Sequence, residues 1–141
     1  MNENIVIIII QNSQDDFYVH QRSRSKKQYS LLYGLGAGGK VEPYESIDQA
    51  AKRELKEELE IISDDDNEKF RIHYLTSFEF KDRKSSHQVN VYHKIHDGEI
   101  NPRTKEFEWC GWKSQDEVEN LSISGLLCPD TNIAYKKFKQ L

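Results

Sequence analysis

Glu54, Glu57 and Glu58 stand at i, i+3 and i+4 in a stretch, Ser46 to Leu59, that is rich in helix formers. A helical residue advances by about 100 degrees, so this spacing gathers the three carboxylates on one face. Ile47, Ala51, Leu55 and Leu59 form an apolar stripe on the same wheel, with Glu58 at its edge. Lys52, Lys56 and Glu60 take the solvated side. Like charges at this spacing destabilise an isolated helix by roughly 0.2–0.5 kcal/mol per pair, and partial burial sharpens the repulsion by lowering the effective dielectric. One resolution is a charged surface face balanced by lysine and arginine. The other is a hard divalent cation such as Mg2+ or Mn2+, which prefers oxygen ligands. The glycine run just ahead, Gly34-Leu35-Gly36-Ala37-Gly38-Gly39, favours the second, because backbone without Cβ atoms can approach a cation or a phosphate closely.

The elements that must position these groups are legible in outline. Ile5 to Ile10 is a β-branched run that reads as a strand buried on both faces. Phe17 to Arg22 reads as a second strand after a Gln14-Asp15-Asp16 turn, and Leu31 to Leu35 as a short third. The glycine run is not helical. The helix from Ser46 to Leu59 starts at Glu45 and Ser46, after Pro43. Ser63 to Glu68 is an acidic loop. Arg71 to Phe80, Gln88 to Ile95 and Glu106 to Trp112 read as extended, Gln115 to Glu119 as a short helix, and Asp130 to Gln140 as a terminal helix entered by Pro129. Strands mixed with a few helices predict an α/β or α+β sandwich.

The chain has 141 residues, a length that suits one domain spanning 1–141. With 36% hydrophobic and 31% charged residues it predicts an ordered, water-compatible fold. The net charge of -4 argues against a nucleic-acid polymer as partner, and leaves room for a small anion bound where metal or local cations reverse the field. Cys110 and Cys128 have neither CxxC spacing nor a zinc-like His partner, and read as free thiols in a reducing compartment. The Ile5 to Ile10 run is too short to span a bilayer and lacks the flanking positive charge of a signal peptide. No membrane association is expected, and the cytoplasm is the expected location.

Written out, Gly39 to Ile61 is GKVEPYESIDQAAKRELKEELEI. It resembles the Nudix box, G-x5-E-x7-R-E-U-x-E-E-x-G-U with U apolar, at every position except Glu60, where the box has glycine. The resemblance implies a Nudix fold, a mixed β-sheet sandwiched between α-helices, and Mg2+-dependent hydrolysis, with Mn2+ as a substitute. The bond cut would be the diphosphate linkage of a small phosphorylated metabolite: a nucleoside diphosphate linked to another moiety, or a nucleoside triphosphate. It also implies roles. Glu57 and Glu58 match the principal metal ligands, and Glu54 a residue that is ligand in some members and base in others. The carbonyl of Gly38 matches a further ligand, and Glu45 and Arg53 a structural pair, suited to a two-pronged carboxylate bond. Glu106, in KEFEWCGWKSQDEV, is a second candidate base, with Glu108 on the same side of that strand, unless the two are simply surface acids. Glycine at the position of Glu60 eases a left-handed turn after the helix, and a glutamate that kept the turn would cost roughly 1 kcal/mol.

Further assignments are open. Arg22, Arg24, Lys26 and Lys27 form a basic run, from which Arg22 and Lys26 are expected to meet a substrate phosphate unless the run is simply a solvated loop. Tyr29, Tyr33, Trp109 and Trp112 either stack on a nucleobase or belong to the core. The five histidines lack metal spacing and read as structural or exposed. Many relatives pair, and a homodimer is open here. Two other functions compete: a catalytically silent binding module, against which the intact Arg53-Glu54 and Glu57-Glu58 argue, and an isopentenyl-diphosphate-isomerase-like enzyme. That isomerase uses a cysteine and a histidine near the glycine loop, where this chain has Ala37-Gly38-Gly39.

Overall fold

The computed structural model describes residues 3–103 and 106–141. The chain runs β1 (Glu3–Gln11), β2 (Phe17–Arg22), β3 (Tyr33–Leu35), β4 (Ala37–Lys40), α1 (Ile47–Leu59), β5 (His73–Lys81), β6 (Ser86–Ile95), β7 (Phe107–Lys113), α2 (Gln115–Ile123) and α3 (Pro129–Lys139). The strands make one mixed seven-stranded sheet around β1. β1 runs parallel to β6 from Glu3↔His87 to Gln11↔Ile95. On its other side it takes β4 antiparallel, from Ile5↔Lys40 to Ile8↔Ala37, and meets β2 only at Gln11↔Phe17. The sheet therefore forks there, and β2 carries β3 and β7 as antiparallel neighbours.

The apolar run in β1 is buried on both faces, as expected, because successive side chains point to opposite sides. Val6, Ile8 and Ile10 pack with Ala50, Ala51, Leu55 and Leu59 of α1. Ile7 and Ile9 pack with Val118 of α2 and Ala134 and Tyr135 of α3. One helix thus covers one face of the sheet and two cover the other. Burying a side chain such as Leu55, which has no exposed surface, stabilises by about 1.5–3 kcal/mol. No helix among the described residues is long and apolar enough to cross a membrane, and both cysteines are free.

Three expectations need correction, and one strand was not anticipated. The third strand is only Tyr33–Leu35, because Leu31 turns the chain at a φ of 63°. The glycine run contributes a strand of its own, β4. Its tolerance for close packing explains this: a Cβ on Gly38 would lie 2.5 Å from the Val6 carbonyl oxygen. The helix after Trp112 runs to Ile123 rather than Glu119, closed at its start by a reciprocal cap between Ser114 and Glu117. Glu106 lies just before β7, not within it.

Candidate active site

The carboxylate face of α1 is positioned from its first turn. Ser46 caps the helix: its hydroxyl accepts from the Gln49 N–H at 3.0 Å, and its own N–H donates to the Gln49 side chain at 2.8 Å. Such a box satisfies two amides that the helix itself cannot. Just ahead, Tyr44 takes a left-handed φ of 68°, and the turn brings Glu45 back under the helix. Arg53 donates to both oxygens of Glu45, from Nε at 2.7 Å and from Nη2 at 2.9 Å. The same guanidinium reaches the Lys40 carbonyl at 2.9 Å, Glu54 at 2.9 Å and Glu57 at 3.3 Å. The Arg53 bond holds the Glu45 carboxyl down at about 2. One arginine therefore ties the end of β4, the following loop and the acidic face together.

Two glycines of β4 form the other wall. Gly38 donates its N–H to Oε1 of Glu58 at 3.0 Å. Gly39 lies so close to Glu54 that a Cβ there would sit 2.4 Å from Oε1. Glu54 and Glu57 differ in exposure, with 12% and 60% of the side chain accessible: Glu54 is pinned in the wall while Glu57 reaches out from it. Glu58 is half-buried, and its carboxyl is pushed up to about 8 by burial foremost, then by Glu54 and Glu106, against the pull of the Gly38 amide.

These groups border a cleft of about 390 Å³, lined by Gly38, Gly39, Glu54, Glu57, Glu58, Arg103 and Glu106. Among the described residues, no three His, Cys, Asp or Glu side chains are already gathered as a metal cluster; the carboxylates line one cleft without converging on a point. The donor set is nevertheless oxygen throughout, it repels itself, and it includes a carboxyl that resists ionisation. That chemistry fits a hard divalent cation.

A second cavity, of about 310 Å³, opens beside the cleft and shares Gly38, Gly39, Glu58 and Glu106 with it. Its other lining includes His20, Arg22, Tyr29, Phe80, Asp82 and Asp130. His20 makes part of the floor, with Nδ1 2.9 Å from the Gly36 carbonyl and its ring stacked on Phe107 at 4.3 Å. Burial holds this imidazole neutral, down at about 4. The structure thus brings Arg22 to the cavity. Lys26 does not line it, and instead pairs with Glu106 at 3.3 Å. Glu108 turns to the basic loop, accepting from the Arg24 N–H at 3.0 Å. Of the aromatics, Tyr29 reaches the cavity, Trp112 packs edge-on against Tyr18, Tyr33 packs on the core and Trp109 carries Lys113 over its ring. Arg103, Phe80, Asp82 and Asp130 were not anticipated; they sit on loops, a strand end and a helix start that carry no motif.

The family model of the NUDIX domain matches residues 1–127. This chain belongs to the Nudix hydrolase family. Over 140 residues it is 24% identical to an uncharacterized Nudix hydrolase of Streptomyces coelicolor, covering 99% of this chain and 75% of that protein. Its fold is similar to the NUDIX domain of Shewanella oneidensis NrtR complexed with ADP ribose, with a TM-score of 0.77, 16% identity, and 99% and 88% of the two chains covered. It is also similar to a bifunctional NMN adenylyltransferase/ADP ribose pyrophosphatase of Francisella tularensis complexed with AMP and Mn ion. There the TM-score is 0.75 at 22% identity, over 99% of this chain and 42% of that one. Within the Nudix box, the departure at Glu60 leaves the helix exit intact. Glu60 adopts the left-handed conformation, φ 56° and ψ 30°, that the usual glycine would take. Its N–H bonds to the Leu55 and Lys56 carbonyls, and Ile61 reaches back to Leu55 at 3.1 Å. Its carboxylate pairs with Arg103.

Proposed function

We propose that this Nudix hydrolase cuts the diphosphate linkage of a nucleoside diphosphate joined to a second moiety, or of a nucleoside triphosphate, with Mg2+ or Mn2+ as its cofactor. The observation that carries this reading is the continuity of the two recesses: a carboxylate cleft over bare glycine backbone opens directly into a cavity of mixed polarity. A diphosphate fits the first and an organic group the second. The ligands in the two related structures, ADP ribose in one and AMP with Mn ion in the other, support the same class.

Glu57 and Glu58 are the residues to hold the cation, with Glu54 and the Gly38 carbonyl as further ligands. A divalent ion held there neutralises phosphate oxygens and lowers the pKa of water. The chain's own residues supply positioning. Arg53, fixed by Glu45, keeps Glu54 and Glu57 facing the cleft. Two carboxylates are placed to take the proton from water, Glu54 and Glu106. Glu106 is favoured, since it stands where the cleft meets the cavity, whereas Glu54 is packed on Gly39. Arg22, on the cavity wall, is the cation set to meet the distal part of the substrate. Lys26 serves by holding Glu106 rather than by contacting phosphate.

The test is phosphate release, with a coupled phosphatase, from ADP ribose, other nucleoside diphosphate conjugates, dinucleotides, nucleoside triphosphates and isoprenoid diphosphates, in Mg2+ and in Mn2+. Turnover of one nucleotide class supports the reading. No turnover of any substrate at any concentration of either metal overturns it in favour of a silent binding module.

A further inference from the structure

We infer that Arg103 contacts a phosphate of the substrate and that Glu60, the residue standing where the Nudix box has glycine, aims it. This rests on the diphosphate reading and adds to it one substrate contact and one positioning residue. Arg103 lines the same cleft as Glu54, Glu57, Glu58 and Glu106, and is the one cation among the described residues that do so. An anion entering a cleft of carboxylates needs cationic donors; Arg22 serves the neighbouring cavity, and Arg53 and Lys26 are engaged elsewhere. Arg53 spends Nε, Nη1 and Nη2 on Glu45, Glu54, Glu57 and the Lys40 carbonyl. Lys26 pairs with Glu106.

Two tethers fix Arg103 at the exit of α1. Its backbone N–H donates to the Glu58 carbonyl at 2.8 Å, and its Nε pairs with the Glu60 carboxylate. The Nη1–Nη2 edge is a different edge of the same plane, and matches two oxygens of one phosphate. Glu60 bears the steric cost of a left-handed conformation that glycine would avoid. The gain that offsets it is the carboxylate, which glycine lacks and which meets Arg103. An exposed ion pair adds little to stability on its own, so its value lies in orientation.

The test uses the full chain and inorganic pyrophosphate as probe, with binding measured by calorimetry in Mg2+ and folding by thermal unfolding. Arg103→Ala should weaken pyrophosphate binding by about 10-fold or more, with Tm unchanged because the side chain is 65% exposed. Arg103→Lys, which keeps charge but loses the fork, should recover only part of the affinity. Glu60→Gly should raise Tm while weakening binding several-fold, and should add nothing further to Arg103→Ala. A purely structural Glu60 would give the rise in Tm with binding unchanged, and that result overturns its positioning role. Wild-type affinity in Arg103→Ala, or no pyrophosphate binding by the wild-type protein, overturns the inference as a whole. If the wild-type protein turns over a nucleotide and Arg103→Ala does so with the same KM, the hydrolase reading stands and this one falls. If nothing is turned over but Arg103→Ala loses pyrophosphate, the reverse holds.

Discussion

Gly38 and Glu58 are joined across two elements by a single bond, the Gly38 N–H donating to Glu58 Oε1 at 3.0 Å. The central sheet thereby grips a carboxyl of α1 that burial foremost, then Glu54 and Glu106, holds up at about 8 against the pull of that amide. Glu58→Gln removes a metal-binding carboxyl and the cost of burying a group that ionises freely when unfolded. We expect turnover to fall by roughly 100-fold or more, with the metal-free protein melting higher than wild type. Glu57→Gln should lose activity similarly, with little change in metal-free melting, because Glu57 is exposed. Steady-state kinetics beside calorimetric melting in a chelator checks both, and wild-type turnover in the two variants rejects the ligand assignment.

Arg53 satisfies five acceptor atoms from three glutamates and one carbonyl. Arg53→Ala is expected to cost about 1–3 kcal/mol, the range for losing bonds to charged groups, and to lower activity because Glu54 and Glu57 lose their brace. Arg53→Lys keeps the charge but not the two-pronged grip on Glu45, so it should recover little of either. Urea unfolding and turnover of the three proteins decide this.

Two glycines near the site should fail in different ways. Gly36 has a φ of +61°, and a Cβ there would lie 1.8 Å from the Ile8 carbonyl oxygen, which is backbone. Gly36→Ala should therefore lose stability severely, by about 3 kcal/mol or more. At Gly39 the clash is with the Glu54 carboxylate at 2.4 Å, the mobile end of a side chain. Gly39→Ala should melt near wild type yet lose most of its activity, as Glu54 is pushed aside. Melting curves and kcat separate the two.

His20 sets a pH dependence. Its ordinary value is 6.5, and in the fold burial foremost brings it to about 4; the bond with the Gly36 carbonyl works against this, and Arg22 adds to it. Between these values the unfolded chain binds the proton and the folded chain does not. The stability from this residue is complete above about 6.5 and declines as pH falls from there toward 4. His20→Gln should flatten unfolding free energy across that window relative to wild type. Equal slopes in the two proteins would show that His20 is not the group responsible.

Much of this was legible because it depends on short-range spacing. The i, i+3, i+4 glutamates, the apolar stripe of Ala51, Leu55 and Leu59, and the two-faced run of β1 follow from helix and strand periods alone, and the structure places all of them as read. Glu45 and Arg53, eight residues apart, were legible through the box. β4 was not, because glycine-rich backbone carries no strand signal, and only the neighbouring β1 makes it extended. The cavity was illegible for another reason. Asp82 follows β5, Asp130 lies in the first turn of α3 and Arg22 ends β2, and no local pattern encodes how elements so far apart in sequence meet. Arg103 was hidden in a loop, although the departure at Glu60 marked where a partner for it should be sought.

The parallel pairing of β1 with β6 also governs when this site can come into being. The chain emerges from the ribosome with the whole Nudix box made before residue 62, yet β1 then lacks the neighbour it meets from Glu3↔His87 to Gln11↔Ile95. Closing so long a loop is entropically costly and slow. During that interval the apolar β1 run has β4 and the acidic helix available as partners but lacks its longest neighbour. The sheet under the Nudix helix is therefore complete only once the sixth strand has been made.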